Sequence, residues 1–211
     1  MSRGLLVTLE GGEGAGKSTQ IVRLAERARA RGVEVLTCRE PGGTPLGERL
    51  REALFGLDGA PTALAELLTF SAARAELVAT VMRPALERGA LVLCDRFTDS
   101  TLAYQGYGRG LDVATIAAVN AAATGGLAPD LTLLLDLDPA AGRARGAEGG
   151  TDYLEREALA FHERVRAGFR ELAAREPGRW RVIDATMGLD AVTDAAWSAV
   201  EALLAADASN R

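Results

Sequence analysis

The sequence predicts a doubly wound α/β fold on a five-stranded parallel sheet, and three observations carry that prediction. Five short apolar runs alternate with longer stretches of helical periodicity: Leu5–Leu9, Val33–Cys38, Ala90–Cys94, Leu131–Leu135 and Trp180–Ile183. The third run, Ala90-Leu91-Val92-Leu93-Cys94, is apolar without a break, as a parallel strand covered on both faces should be. The first run leads through Gly11, Gly12, Glu13, Gly14, Ala15 and Gly16 into Lys17, Ser18 and Thr19, where a helix begins. Strand, glycine-rich turn and helix are the setting that the spacing G-x-x-x-x-G-K-[ST] requires to cradle a phosphate chain.

In chain order, the first helix runs from about Lys17 to Arg31, with Ile21, Leu24, Ala25 and Ala28 on one face and Gly32 as its stop. The second strand ends in Arg39-Glu40-Pro41-Gly42-Gly43-Thr44, a stiff loop at the end of a strand, where open α/β sheets bind ligands. A short helix over about Leu46 to Phe55 and a turn at Asp58-Gly59 follow. A long helix from Pro61 to Val81 should break or kink before Pro84. After the third strand come helices near Ser100–Gln105 and Asp112–Thr124, separated by Gly106, Gly108 and Gly110. Asp138-Pro139 opens a short helix after the fourth strand, and Gly142 to Gly150 reads as a mobile Arg/Gly segment. Helices from Asp152 to Arg175 and from Asp190 to Ala205 flank the last strand.

At 211 residues the chain is long enough for one sizeable core, and a single domain over 1–211 is expected. A net charge of −5 argues against non-specific nucleic-acid binding while leaving room for a local cationic pocket. Cys38 and Cys94 each close a strand and read as buried thiols in a reducing cytosol. No leader-like stretch and no membrane-length apolar run is evident, so a cytoplasmic protein is expected.

The chemistry starts at the glycine-rich loop. Its backbone N–H groups turn toward a polyphosphate at a helix N-terminus whose dipole favours anions. Lys17 reaches the β- and γ-phosphates and Ser18 holds Mg²⁺ in that motif. Lys17 is the only lysine among 24 basic residues, which marks a place that needs a compact ammonium and not a planar fork. A magnesium site needs a further carboxylate at a strand end, and Asp95 and Asp136 both qualify. Asp95 is favoured because Arg96 follows it, placing a carboxylate and a fork-shaped phosphate ligand together. Asp136 leads into Leu-Asp-Pro, which reads as a turn and helix cap.

The combined motifs resemble the thymidylate kinase family. They are Glu-Gly-Gly-Glu-Gly-Ala-Gly-Lys-Ser-Thr, Arg-Glu-Pro-Gly-Gly-Thr, Asp-Arg-Phe with Ser-Thr-x-Ala-Tyr-Gln, and Leu-Asp-Leu-Asp-Pro, in register over residues 10 to 139. The resemblance implies a P-loop NTPase fold, three layers α/β/α, with a mobile lid at about 142–151. It implies transfer of the γ-phosphoryl group of ATP to dTMP with Mg²⁺, by a homodimer. By position, it puts Phe70 under the thymine ring, Arg74 on its O4 and Thr101 on N3. Tyr104 packs under the sugar, and Gln105, Pro41 and, more weakly, Arg39 border the same pocket. Glu13 matches a carboxylate near the acceptor's 3′-hydroxyl, and Arg96 matches an acceptor-phosphate ligand. Phe70 and Arg74 lie four apart on one helix, so one face offers a ring for stacking and a guanidinium for a carbonyl.

With Gly14 in the loop, the transition-state cation is expected from the lid, where Arg143 and Arg145 are the candidates. The lid is poorer in arginine than the family pattern, since Asp152-Tyr153-Leu154-Glu155 stands where Asp-Arg-hydrophobic-Glu is usual. His162, the only histidine, reads as a surface or packing residue. A second acceptor, another nucleoside monophosphate or a free deoxynucleoside, fits the same class, although Arg96 and Arg39 favour an acceptor already bearing phosphate. A GTPase is excluded because its guanine reader needs a lysine outside the phosphate loop. The helix from Pro61 to Val81 carries Leu64, Leu67, Leu68, Ala72, Ala75, Val78 and Ala79, more apolar surface than one covered face needs, which also predicts a twofold dimer.

Overall fold

The computed structural model describes residues 3–146 and 152–209. Its five strands are β1 (Leu5–Glu10), β2 (Val35–Arg39), β3 (Leu91–Asp95), β4 (Leu131–Asp136) and β5 (Trp180–Asp184). They form a sheet in the order β2-β3-β1-β4-β5, with every pair parallel. The central strand sets the register, with Val7 opposite Leu93 of β3 and Leu131 of β4.

Side-chain alternation along β1 builds two cores. Val7 and Leu9 face α1 (Lys17–Ala30) and α9 (Leu189–Ser209), where Leu24, Ala28, Ala196 and Val200 are wholly buried. Leu6 faces the opposite side with Val92 and Cys94, against Leu77, Val78 and Met82. On that side, nearer β4 and β5, α8 (Leu159–Arg175) contributes Phe161, Val165, Phe169 and Leu172. The result is a sheet with helices on both faces, a P-loop NTPase fold. Thr8 and Glu10 share the face of Leu6, which leaves polar groups buried under the carboxyl end of the sheet.

Several expected boundaries shift for identifiable reasons. The long helix does not break before Pro84. It runs as α3 (Ala63–Leu77), widens into a π-helical turn over Val78–Met82, and resumes as α4 (Arg83–Glu87) with the proline in its first turn. A π turn displaces the carbonyl that the proline ring would strike, and a first-turn proline lacks no needed N–H. Gly106 and Gly108 likewise do not separate helices, because α5 (Thr98–Thr101) continues as a π-helical segment over Leu102–Gly108. Gly108 is required by packing, since a Cβ there would lie 2.6 Å from the Phe161 ring. The helix placed at Asp152 begins at Leu159, because the Asp152 carboxylate accepts the N–H groups of Leu154 and Glu155 and holds a turn instead.

The segment expected as a mobile lid is helical through Gly146, as the end of α7 (Pro139–Gly146), and positions 147–151 lie outside the described residues. The remaining helices are α2 (Pro45–Phe55) and α6 (Val113–Thr124), capped by the hydroxyl of Thr44 and the carboxylate of Asp112. Cys38 and Cys94 are paired in register across β2 and β3 and are free thiols.

Candidate active site

The carboxyl ends of β1, β3 and β4 converge on the glycine-rich loop. Gly16 sits at φ +90° at the start of α1, so the loop turns straight into the helix. The Lys17 ammonium, buried in the loop, donates to the carbonyls of Gly11 at 3.2 Å and Gly12 at 2.8 Å. Burial lowers its pKa, with Arg96 as the next cause, and Glu13, Asp95 and Glu10 oppose that shift. The loop tip touches α7 backbone to backbone: a Cβ on Gly14 would lie 2.3 Å from the Gly142 carbonyl, and one on Gly142 would lie 2.3 Å from the Glu13 carbonyl. Position 14 therefore has no room for a side chain.

Ser18 donates its hydroxyl to Asp95 at 2.8 Å, so the two oxygen donors favoured from sequence do meet. Asp136, the other candidate, is gripped from α8 by Arg166, at 2.7 Å through Nε and 3.1 Å through Nη2. A hydroxyl and one carboxylate beside a phosphate loop suit Mg²⁺, which takes few protein ligands and keeps waters and phosphate oxygens. Among the described residues, no group of three His, Cys, Asp or Glu side chains is placed to hold a metal.

Arg96 is the one non-glycine residue with positive φ among those described, at +68°. Glu10, wholly buried at the end of β1, holds this strained position by accepting the N–H of Phe97 at 2.9 Å and the hydroxyl of Ser100 at 2.5 Å. Burial, reinforced by the nearby Asp99, pushes the Glu10 carboxyl up to about 8. The Arg96 guanidinium donates to Gly11 O at 3.0 Å, ion-pairs with Glu13 and lies 5.0 Å from the centre of the Tyr104 ring. That pairing, outweighing burial, holds the Glu13 carboxyl down at about 2.

A cavity opens between α2, α3, the π-helical segment and β3. Phe70, Arg74, Thr101, Tyr104, Gln105, Pro41, Arg96 and Glu13 all line it, so the structure brings together the residues singled out from sequence. Arg39 is the exception: it stands exposed, ion-paired with Glu48 at 3.0 Å, because successive residues beyond β2 point to opposite sides and Glu40 takes the inward one. Arg74 is far more committed than its sequence reading implied. It donates through Nε to Glu40 at 2.8 Å, through Nη1 to Asn120 at 2.6 Å, and through Nη2 to Phe97 O at 3.2 Å and Thr101 Oγ1 at 2.8 Å. A guanidinium has five N–H groups, so one remains. Gln105 is held by Glu66 at 2.6 Å, and Phe70 packs edge-on against Phe55.

Sequence reasoning missed Arg51. It reaches this cavity from α2, over the Phe55 ring and bonded to the Pro41 carbonyl at 3.2 Å. Its helical spacing from Phe55 was the available signal. Glu40, the partner of Arg74, was visible only as a member of the Arg-Glu-Pro-Gly-Gly motif, with no role read for it.

A second cleft lies on the other side of the loop, lined by Gly12, Gly14, Ser18, Thr19, Arg143, Arg145, Arg166 and, unexpectedly, His162. The two lid arginines of α7 both line it but point apart, Arg143 bonding the Glu157 carbonyl and Arg145 the Ala185 carbonyl at 2.9 Å. Glu13 and Glu155 border both cavities, so the two spaces adjoin at the loop tip.

A family model described as thymidylate kinase matches residues 9–196. The chain belongs to the thymidylate kinase family. It is 55% identical over 201 residues to the thymidylate kinase of Deinococcus radiodurans, covering 95% of this chain and 98% of that one. It is 52% identical over 203 residues to the enzyme of that name from Gloeobacter violaceus, covering 95% and 96% of the two chains. The solved thymidylate kinase structure from Ehrlichia chaffeensis superimposes with a TM-score of 0.77 at 36% identity, covering 94% of this chain and 99% of that one. Membership of the thymidylate kinase family accounts for the spacing of the motifs and for the five-stranded order around them.

Proposed function

We propose that this chain, as a single kinase domain, transfers the γ-phosphoryl group of ATP to dTMP, giving dTDP and ADP. The observation that carries the reading is the pair of cavities adjoining at Glu13 and Glu155, one built on the phosphate loop and the other lined by aromatic rings and three arginines. The donor polyphosphate lies along Gly11 to Thr19, with Lys17 leaving the loop carbonyls for the β- and γ-oxygens. Mg²⁺ held by Ser18 and Asp95 would neutralise developing charge between those oxygens. Arg143 and Arg145 are the further cations above the migrating group.

In the acceptor cavity the thymine ring stacks on Phe70, with O4 taking the remaining N–H of Arg74 and N3–H donating to the second lone pair of Thr101 Oγ1. Tyr104 and Gln105 close the sugar side, and Pro41 the opposite edge. Arg96 and Arg51 clamp the 5′-phosphate, and Glu13 orients the ring hydroxyl. An acceptor phosphate oxygen, anionic at neutral pH, attacks the γ-phosphorus in line. The bond to the β-bridging oxygen breaks and ADP leaves with that electron pair, so no general base is needed.

Leu64 and Leu68 of α3 are half exposed and continue with Ala72, Ala75 and Ala79 as one stripe, which supports twofold pairing through this helix. A cytoplasmic setting fits the free thiols. Among the described residues no helix is long and apolar enough to cross a membrane. The acceptor assignment is tested by comparing kcat/KM for dTMP, dCMP and thymidine. Cytosine's amino group leaves the Arg74 donor unpaired, so dCMP should fall about 100-fold or more below dTMP. Equal turnover of the two would remove the thymine pocket.

A further inference from the structure

His162 was expected to be a surface or packing residue, yet its imidazole lines the phosphate cleft. It is 9% exposed, and its Nε2 is buried with no hydrogen-bond partner among the described residues. The other face of the ring is accounted for. Phe161 meets it edge-on at 5.3 Å between centroids, and the ring donates to the Leu154 backbone carbonyl. A buried polar nitrogen left without a partner costs stability, so a site that keeps one points to a ligand that completes it.

Gly12, Gly14, Ser18 and Thr19 of the phosphate loop line the same cleft with Arg143, Arg145 and Arg166, so the ligand expected there is an anion. Arg143 from α7, Glu13 from the phosphate loop and Glu157 from the turn before α8 are the charged groups facing the ring. Glu13 is already engaged by Arg96 and by the Tyr104 hydroxyl at 3.3 Å, so it does not take the imidazole. Elsewhere along the cleft, Arg166 is tied to Asp136 and Asp138, and Arg145 to the Ala185 carbonyl. The tip of the phosphate loop meets α7 at Gly14 and Gly142, and His162 and Arg143 line the cleft beside that contact.

We propose that His162 is a phosphate-binding residue of the donor cleft, its Nε2–H donating to the terminal phosphoryl group of the nucleotide. Burial and Arg143 hold the free imidazole below its ordinary pKa, so it is neutral before the nucleotide arrives. A polyanion entering the cleft reverses that balance and favours the imidazolium. The nucleotide thus brings about the protonation of its own ligand. The inference rests on the reading of this cleft as the donor site.

Because His162 is the only histidine, its Cε1–H resonance in untagged protein is a single-residue reporter. Proton NMR titrations should be run on the free protein, with dTMP alone, and with a saturating non-hydrolysable ATP analogue plus Mg²⁺. The analogue should move the midpoint up by roughly one unit or more, and dTMP alone should leave it in place. In parallel, His162→Phe should raise the KM for ATP by about tenfold with the KM for dTMP unchanged. The variant also gives up the ring's bond to Leu154, so its melting temperature is measured alongside, and His162→Gln should recover part of the lost ATP affinity. An unmoved midpoint with the bound analogue, in a preparation that phosphorylates dTMP, overturns the role of His162 alone. A preparation that phosphorylates no dTMP at all overturns the kinase reading beneath it.

Discussion

Arg74 separates what the sequence suggests from what the structure requires. On the sequence reading, Arg74→Met damages thymine recognition and little else. In the structure the Arg74 and Glu40 side chains are 2% and 4% exposed, and removing the guanidinium strands a buried carboxyl together with the acceptors of Asn120 and Phe97. Breaking a buried pair from one side costs about 3–5 kcal/mol. For a chain of this size that corresponds to a fall of about 6–20 °C in Tm, at roughly 2–4 °C per kcal/mol. Burial already raises the Glu40 pKa against the pull of Arg74, so the stranded group takes up a proton when Arg74 is lost. Glu40→Gln should therefore relieve the Arg74→Met variant, leaving the double variant less destabilised than the sum of the two singles. Urea unfolding of all four proteins at pH 7, with dTMP and dCMP kinetics on those that fold, decides the matter. A loss below about 1 kcal/mol in Arg74→Met, with discrimination alone affected, would refute the structural role.

Other outcomes follow from the same geometry. Lys17→Ala should abolish transfer while the melting temperature changes little, and Lys17→Arg should also be poor, because the space between the Gly11 and Gly12 carbonyls admits an ammonium and not a fork; full activity in Lys17→Arg would contradict this. Gly142→Ala should lower ATP affinity by displacing the loop tip, since its Cβ would lie 2.3 Å from the Glu13 carbonyl, and an unchanged ATP KM would count against that contact. Glu10 carries a carboxyl raised to about 8, so its folded form holds a proton that the unfolded chain releases near pH 4.5. The stability it lends is complete below about pH 4.5 and is lost as pH rises toward 8, so wild type should lose stability relative to Glu10→Gln between pH 5 and 8. Urea midpoints that diverge in the opposite sense would reject that assignment.

Much of this was legible in the sequence because it rests on local spacing. The phosphate loop is a continuous pattern, and the strand Ala90–Cys94 is apolar on both faces, so neither depends on distant partners. Phe70 and Arg74 were assigned through the family resemblance, with their spacing on one helix in support, and the structure does bring both to one cavity. The failures are long-range. A proline marks a helix break unless a wide turn precedes it, and the Val78–Met82 turn leaves no residue signature. Glu40 and Arg74 are 34 residues apart, and nothing along the chain announces their pairing. Arg39 and Glu40 exchanged roles because the strand's alternation decides which one points inward. His162 shares a helix with the core residues Phe161, Val165 and Phe169, so only the fold shows that its ring borders the phosphate cleft.

The central claim is that the two adjoining cavities pass a phosphoryl group directly from one nucleotide to the other. Incubation with γ-labelled ATP, Mg²⁺ and dTMP tests it most directly. The label should appear in dTDP, one equivalent for each ADP formed, with no ADP released when dTMP is withheld. Label recovered as free orthophosphate, or ADP produced at the same rate without dTMP, would contradict the account.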